Sequence, residues 1–296
     1  MSSDILHTAR NYLAVGAFTK CMKETRARST LEASILYYRA AIEVDAAAVH
    51  RALQHATSLG ERAVFHYAAY RIAQNNEEEK RLAIDTLAGY QADPDMAKDA
   101  TLNTILALMY INEKNYRDAL RSLHLITTPS QEKSALTVHC YLALDRIDLA
   151  EKLVEQMHAT DDDDPYTTLA SIWVQVAKRK AENSHNLVSE LVERFEESPL
   201  LLTTLGTIYL SRGQFREAFQ HFKRSRELAT QNNEIVSPET LINSMVCAYH
   251  LGGARSEDVI NAIHEEFKRL HPNHPYFTKE KELEAAFDRC AAQYAK

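Results

Sequence analysis

The spacing of the prolines constrains this chain more than any other feature. Six of the seven prolines follow one another at intervals of 34 to 39 residues: Pro94, Pro129, Pro165, Pro199, Pro238 and Pro272. Proline has no backbone N–H and clashes inside a helix, so it stands between helices or at the first helical position. The regular spacing therefore predicts a repetitive array in which each proline marks the joint between two helix pairs.

The segment 199–232 shows the pattern within one unit most clearly. A predicted helix A over 199–211 and a helix B over 215–230 carry small residues where the helices must approach and bulky residues around that contact. These markers are Leu205, Gly206 and Tyr209 on helix A, Gly213 at a turn that favours positive φ, and Phe215, Ala218 and Phe222 on helix B. This order is typical of the tetratricopeptide (TPR) repeat, which has a period of about 34 residues.

The same pattern predicts an all-α, TPR-like α-solenoid that forms one domain over residues 1–296. We expect a right-handed superhelix of about eight helix pairs plus a C-terminal capping helix, because the last repeat would otherwise expose an apolar face. The clearest repeats are 2–30, 100–130, 131–164 and 199–232; degenerate repeats are 31–98, 163–198 and 238–271; the capping helix is 276–294.

Composition argues against several classes of protein. The net charge of −7 and the lack of a basic stripe argue against nucleic-acid binding and against charge-driven docking on anionic lipid. The longest apolar run, 105–111, is far too short to span a bilayer, and the first residues do not resemble a secretory signal. The four scattered cysteines are expected to be small buried residues in a reducing compartment: Cys21, Cys140, Cys247 and Cys290.

No arrangement of residues predicts catalysis, so we expect no catalytic residue, cofactor or metal ion. His271 and His274 form the closest histidine pair, and a structural turn explains them better than a metal site, because no third ligand is evident. The acidic run 161–164 lacks the alternation of a calcium loop and is better explained as carboxylates at the positive end of a helix. A small hydrolase or metalloprotein would need residues that the sequence does not bring together.

The concave face is the predicted functional surface. In TPR arrays the A helices line this face, with repeat positions 2, 5, 9 and 12 pointing into it, and position 12 is apolar in every unit that can be aligned. Such a groove either binds a partner or packs between neighbouring A helices. The candidate partner-binding residues are Leu6, Leu13, Thr104, Leu108, Ile111, His139, Leu142, Val174, Thr203, Thr207, Leu210, Ile242, Val246 and Tyr249.

Several longer segments resemble one known family, the epsilon subunit of coatomer, which belongs to the COPI vesicle coat. The resemblance extends in order over most of residues 35–296, whereas the first 30 residues match only in helix pattern. Two loops, 161–164 and 178–180, depart from the family pattern. The segments that carry the resemblance are 116–124, 144–150, 168–174, 238–243, 274–276, 287–289 and 293–295.

The resemblance implies a non-catalytic protein that forms a heterodimer with the C-terminal domain of the coatomer alpha subunit and stabilises it. It further implies a place in the coat of Golgi-to-ER and intra-Golgi vesicles, cytosolic and peripheral on Golgi and vesicle membranes. The alternative is a TPR co-chaperone or another peptide-binding adaptor. That function needs Lys, Asn and Arg on the groove to grip carboxylates, and the polar exceptions here are Arg10 and His139.

Overall fold

The computed structural model describes residues 6–27, 29–73, 76–180, 184–253 and 256–294. These residues form sixteen α-helices and one 3₁₀ turn, Tyr90–Ala92, and contain no β-strand. The helices are α1 His7–Ala14, α2 Phe18–Arg26, α3 Leu31–Ala52, α4 Leu59–Ile72, α5 Glu77–Gly89, α6 Ala100–Asn112, α7 Tyr116–Leu125, α8 Gln131–Ala143, α9 Ile147–Thr160, α10 Pro165–Ala177, α11 Ser184–Phe195, α12 Pro199–Ser211, α13 Phe215–Gln231, α14 Pro238–Leu251, α15 Ser256–Leu270 and α16 Pro275–Tyr294.

The helices pair as the repeat pattern predicts, with one exception in the N-terminal third. Helix α3 occupies the place of a whole pair, because its backbone leaves the helical conformation at Asp45 (φ −150°, ψ 87°) without a turn. The Asp45 carboxylate accepts a hydrogen bond from the backbone N–H of Ala48, at 2.9 Å, and so caps the second segment. With α3 counted in this way, the described residues form eight helix pairs followed by α16, which confirms the TPR-like solenoid.

The prolines stand at the joints between the pairs. Three of them are the first residue of an A helix, where the missing N–H costs nothing, and each follows a capping Asp or Ser. The other three lie in the loops that lead into the next helix. The first group is Pro165, Pro199 and Pro238; the second is Pro94, Pro129 and Pro272.

The same turn joins helix A to helix B in five pairs. One residue takes a positive φ, and the next backbone N–H returns to the carbonyl oxygen five residues earlier, as Gln214 does to Tyr209 at 2.9 Å. Glycine accepts this conformation without strain, but three of the five turns use a larger residue. The positive-φ residues are Gly16 (71°), Lys114 (57°), Asp145 (58°), Arg179 (57°) and Gly213 (73°).

Close contact between helix A and helix B depends on small residues. A Cβ atom placed on Gly206 would lie 2.6 Å from the Phe222 ring, so the ring occupies the space that a side chain would need. Phe222 and Ala218 are fully buried in this contact. The pair 199–232 is therefore held by direct packing of an aromatic ring on the backbone of α12.

We expect Gly206→Ala to lower the free energy of unfolding by about 1–3 kcal/mol, because the ring of Phe222 must move away from an already filled core. Gly89→Ala is the matched control, since no heavy atom lies within 4 Å of a Cβ at Gly89. There the gain in helix propensity should stabilise the protein by up to about 1 kcal/mol. Urea unfolding measures both, and equal effects of the two changes would contradict the packing argument.

The array bends back on itself, so that the first helix pair touches the sixth and seventh. Val15 is fully buried and belongs to the same apolar cluster as Leu201 of α12. The hydroxyl group of Ser198 donates a hydrogen bond to the Val15 carbonyl oxygen, and the Lys20 ammonium group lies 2.8 Å from the Glu196 carboxylate. We call this set of interactions the closing contact.

Candidate partner-binding site

The structure divides the fourteen candidate groove residues into three groups. Leu6, Thr104 and Val174 are buried. His139, Val246 and Tyr249 are exposed. The remaining eight are half-buried: Leu13, Leu108, Ile111, Leu142, Thr203, Thr207, Leu210 and Ile242.

Some of the candidates hold helices together. Val174 belongs to the apolar cluster of α8, α9 and α10 that contains Val138. The Thr203 hydroxyl group shares hydrogen bonds with the hydroxyl groups of Ser225, at 3.0 Å, and Thr240, at 2.7 Å, and so ties α12 to α13 and α14. Packing between helices is therefore part of what these positions do.

The three exposed candidates have the surface that a partner could contact. Tyr249 is 74% exposed and Val246 is 38% exposed, and both lie on α14, three residues apart on one face. His139 of α8 lies between two rings, with centroids 6.3 Å from Tyr116 and 6.2 Å from Trp173. Desolvation by the surrounding protein lowers the pKa of His139, although its side chain stays exposed.

A cavity of about 950 Å³ lies where the A helices converge, and we call it the A-helix cavity. Faces of α1 and α3 form one side, and the N-terminal ends of α6, α8 and α10 form the other. Two candidate groove residues, Leu13 and Thr104, line it. This volume can hold several side chains of an inserted segment.

An ion pair crosses the wall of the A-helix cavity and joins α3 to α8. The Arg39 guanidinium group donates two hydrogen bonds to the Glu132 carboxylate, and both side chains are largely buried. Burial alone would lower the pKa of Arg39, but the Glu132 carboxylate more than offsets this and holds that pKa above its ordinary value. Burial also raises the pKa of Tyr166, which lines the same cavity, far above its usual range. Both residues therefore keep one charge state at physiological pH.

A second long-range contact brings the second, third and fourth helix pairs close to the loops before α14 and α16, around a cavity of about 440 Å³. Arg71 of α4 and Glu43 of α3 form an ion pair at 2.6 Å within it. Glu234, in the loop before α14, comes near enough to Glu43 for their charges to interact. The pKa of Glu234 is raised to about 7: burial raises it most, the Asn232 amide lowers it somewhat, and the Glu43 carboxylate adds a smaller increase.

The residues for which the sequence favoured a structural explanation over a metal or catalytic site do have structural roles. The His271 ring donates to the Val236 carbonyl oxygen at 2.7 Å, and the Tyr276 N–H donates to the His274 ring at 3.2 Å, so the structural-turn interpretation is confirmed. Asp164 of the acidic run caps α10 by accepting a hydrogen bond from the Tyr166 N–H, as expected. Three cysteines are buried as predicted, but the prediction for Cys290 is wrong, because α16 leaves it exposed.

Within the part of the chain that the structure describes, no group of three or more His, Cys, Asp or Glu side chains could hold a metal ion. None of the described helices combines the length and apolar character that crossing a bilayer requires.

Comparison with known proteins identifies the family. A sequence model of the coatomer epsilon subunit matches residues 2–295. The chain belongs to the coatomer epsilon subunit family. Coatomer subunit epsilon-1 of Arabidopsis thaliana is 25% identical over 300 residues, which cover 99% of this chain and 98% of that protein. Coatomer subunit epsilon of Dictyostelium discoideum is 25% identical over 324 residues, covering 97% and 98%.

Membership of the coatomer epsilon family makes this chain a structural component of a vesicle coat and not an enzyme. Among solved structures, a chain in the crystal structure of the APC/C hetero-tetramer Cut9–Hcn1 superimposes with a TM-score of 0.58 at 14% identity. That likeness covers 92% of this chain and 54% of the other, and it supports the helical-solenoid fold alone.

The contacts between distant parts of the array are not predictable from the repeat pattern. Arg39, Glu132 and Glu234 lie in no repeat motif, and the first of them falls in the region where the repeat signature is weakest. For Arg39, the one signal in the sequence is that a basic residue stands at a helix position that should face the groove. Nothing in the local pattern around Glu132 distinguishes it from a solvated acid at a helix start.

Breaking the Arg39–Glu132 pair tests whether it holds the cavity wall. We expect Glu132→Gln to lower the free energy of unfolding by about 3 kcal/mol, because it leaves a buried guanidinium group without its counter-charge. The double change Arg39→Met with Glu132→Leu should recover most of that loss. Thermal unfolding of both variants measures this, and a Glu132→Gln protein as stable as the parent would show that the pair is solvated.

Glu234 should make stability depend on pH. The pKa of Glu234 is raised in the folded chain from an ordinary 4.5 to about 7. The stability that the protonated side chain contributes is therefore fully present below pH 4.5 and is lost as the pH rises through 7. We expect Glu234→Gln to stabilise the protein by about 1 kcal/mol at pH 8, after discounting for partial exposure, and to change little near pH 4. Unfolding curves at the two pH values test this, and an equal effect at both would contradict it.

Proposed function

We propose that this chain binds the C-terminal domain of the coatomer alpha subunit as a heterodimer and stabilises it within the COPI coat. The coat would then place it, cytosolic and peripheral, on Golgi and vesicle membranes during Golgi-to-ER and intra-Golgi transport, with no nucleic-acid partner. Two observations together support the proposal. The chain belongs to the coatomer epsilon subunit family, and its helices form a bent array with an open concave face.

The geometry supports a contact in two parts. The A-helix cavity, which Leu13 and Thr104 line, has the size for an inserted loop or hairpin of the partner. The exposed candidates His139, Val246 and Tyr249 would form a second, flatter contact. Aromatic side chains that are exposed in the free protein are frequent anchors in protein interfaces, because they bury a large area at low cost in entropy.

The co-chaperone alternative finds less support in the charges of the same surface. Gripping a carboxylate tail requires cations that are free to meet it. Arg39 is already held by Glu132, and Arg10 is hydrogen-bonded to Glu32. A tail rich in carboxylates would have to displace both of these acids.

The sharpest test changes the most exposed candidate. We expect Tyr249→Glu to weaken binding to the C-terminal domain of the alpha subunit by about tenfold or more without unfolding the chain, because the side chain is 74% exposed. Leu82→Glu is the matched control, since Leu82 is 66% exposed on α5, outside the groove. Calorimetry with the purified domain measures both.

Two results would count against the proposal. Recovery of intact coatomer without this chain from cell extract would argue against the partner. Equal binding of the alpha-subunit domain by the parent and both variants would support the partner but reject this surface.

A further inference from the structure

The opposite side of the array contains an apolar recess with a basic border, formed by the B helices α7 and α9 over α8. One part, of about 620 Å³, is lined by Arg117, Leu120, Arg121, His124, Leu125 and Leu144. A second part, of about 590 Å³, shares Leu120 and His124 with the first and extends to Lys133, Leu149, Lys152 and Leu153. We call the two parts together the B-helix recess.

The floor of the B-helix recess is apolar and partly open. Leu125 is 38% exposed and Leu144 is 46% exposed, although both are large aliphatic side chains. Leu120 lies between Arg117 and His124 on one face of α7, three residues from the first and four from the second. The helix therefore presents a leucine side chain between an arginine and a histidine.

The side chains that line the recess are basic or neutral, whereas the whole protein is acidic. The chain carries a net charge of −7, yet none of the described residues that line either part is an aspartate or glutamate. Asp118, which lies on α7 nearby, is held by Arg121 at 2.7 Å and by the Asn115 amide at 2.7 Å. The recess is thus a local basic site on an acidic molecule.

Two cations and one histidine ring of the recess are available to a ligand. Among the described residues, Arg117, His124 and Lys152 have no hydrogen-bond or ion-pair partner. By contrast, Arg121 is paired with Asp118, and the Lys133 ammonium group donates to the Ile126 carbonyl oxygen at 2.6 Å. Cations without a counter-charge beside an apolar floor are a complement for acidic groups flanking apolar side chains.

We propose that the B-helix recess binds an acidic amphipathic peptide segment, with leucine- or phenylalanine-like side chains on the floor and carboxylates against Arg117, His124 and Lys152. The proposal is independent of the proposed contact with coatomer alpha, which uses the A-helix side. A lipid surface fits less well, because the cations border a recess and the rest of the chain is acidic, so an anionic membrane would be repelled around it.

The direct test uses a fluorescein-labelled helical peptide of about 14 residues, with leucine at every third or fourth position and glutamate elsewhere. We expect fluorescence polarisation to give a Kd of about 10–100 µM at low salt, weakening several-fold near 0.5 M salt. The same peptide with lysine in place of glutamate should bind at least about tenfold more weakly.

Variants locate the binding. The double change Arg117→Glu with Lys152→Glu should weaken binding about tenfold or more, since it replaces two attractions by repulsions. Arg216→Glu is the matched control: Arg216 is exposed and is the second residue of α13, as Arg117 is of α7, and it should change Kd less than about twofold. Leu144→Glu should weaken binding without loss of helical circular dichroism.

Three outcomes would overturn the proposal. The first is no binding of the acidic peptide at millimolar concentration. The second is equal loss of binding in the Arg216→Glu and the double variant. The third is recruitment of the protein to phosphatidylserine vesicles that the double variant abolishes while peptide binding stays unchanged, which would make the recess a membrane contact.

Discussion

Direct packing of helix B on the backbone of helix A is the contact on which the rest of the structure depends. Gly206 leaves room for the Phe222 ring, and the small residues Ala107, Ala119 and Ala150 of other pairs are also fully buried. A larger residue at any of these places would separate the two helices and change the angle at which the next pair stacks. Because each pair in a solenoid rests on its neighbours, such a change would propagate along the array.

The closing contact adds a constraint that stacking alone does not impose. Val15 meets Ser198 across 183 residues of sequence, and Arg39 meets Glu132 across 93. These links make the array depart from the nearest-neighbour behaviour of an open solenoid, so its N-terminal pair cannot fray without opening the A-helix cavity. A cavity whose wall is held in this way is already organised before a partner arrives, which lowers the entropy cost of binding.

Local sequence predicted the pairs but not the way in which the array closes. The predicted helix A over 199–211 coincides with Pro199–Ser211, and Gly213 takes its expected positive φ. The kink at Asp45 was missed because a single capping carboxylate replaces the turn there. The contact of the first pair with the sixth and seventh was not predicted, because it depends on the small rotation of each pair relative to the one before. No local residue pattern predicts the total rotation over several pairs. The candidate groove residues include both packed and exposed positions. The place of a residue in the repeat predicts the direction of its side chain, but its burial depends on which other helix lies opposite that side chain.

The two faces of the array meet at the first turn of α8. Glu132 faces the A-helix cavity and holds Arg39, whereas the next residue, Lys133, lies in the B-helix recess and holds the Ile126 carbonyl oxygen. Ile126 in turn lines the A-helix cavity. The segment that leads into α8 therefore contributes to both faces of the array.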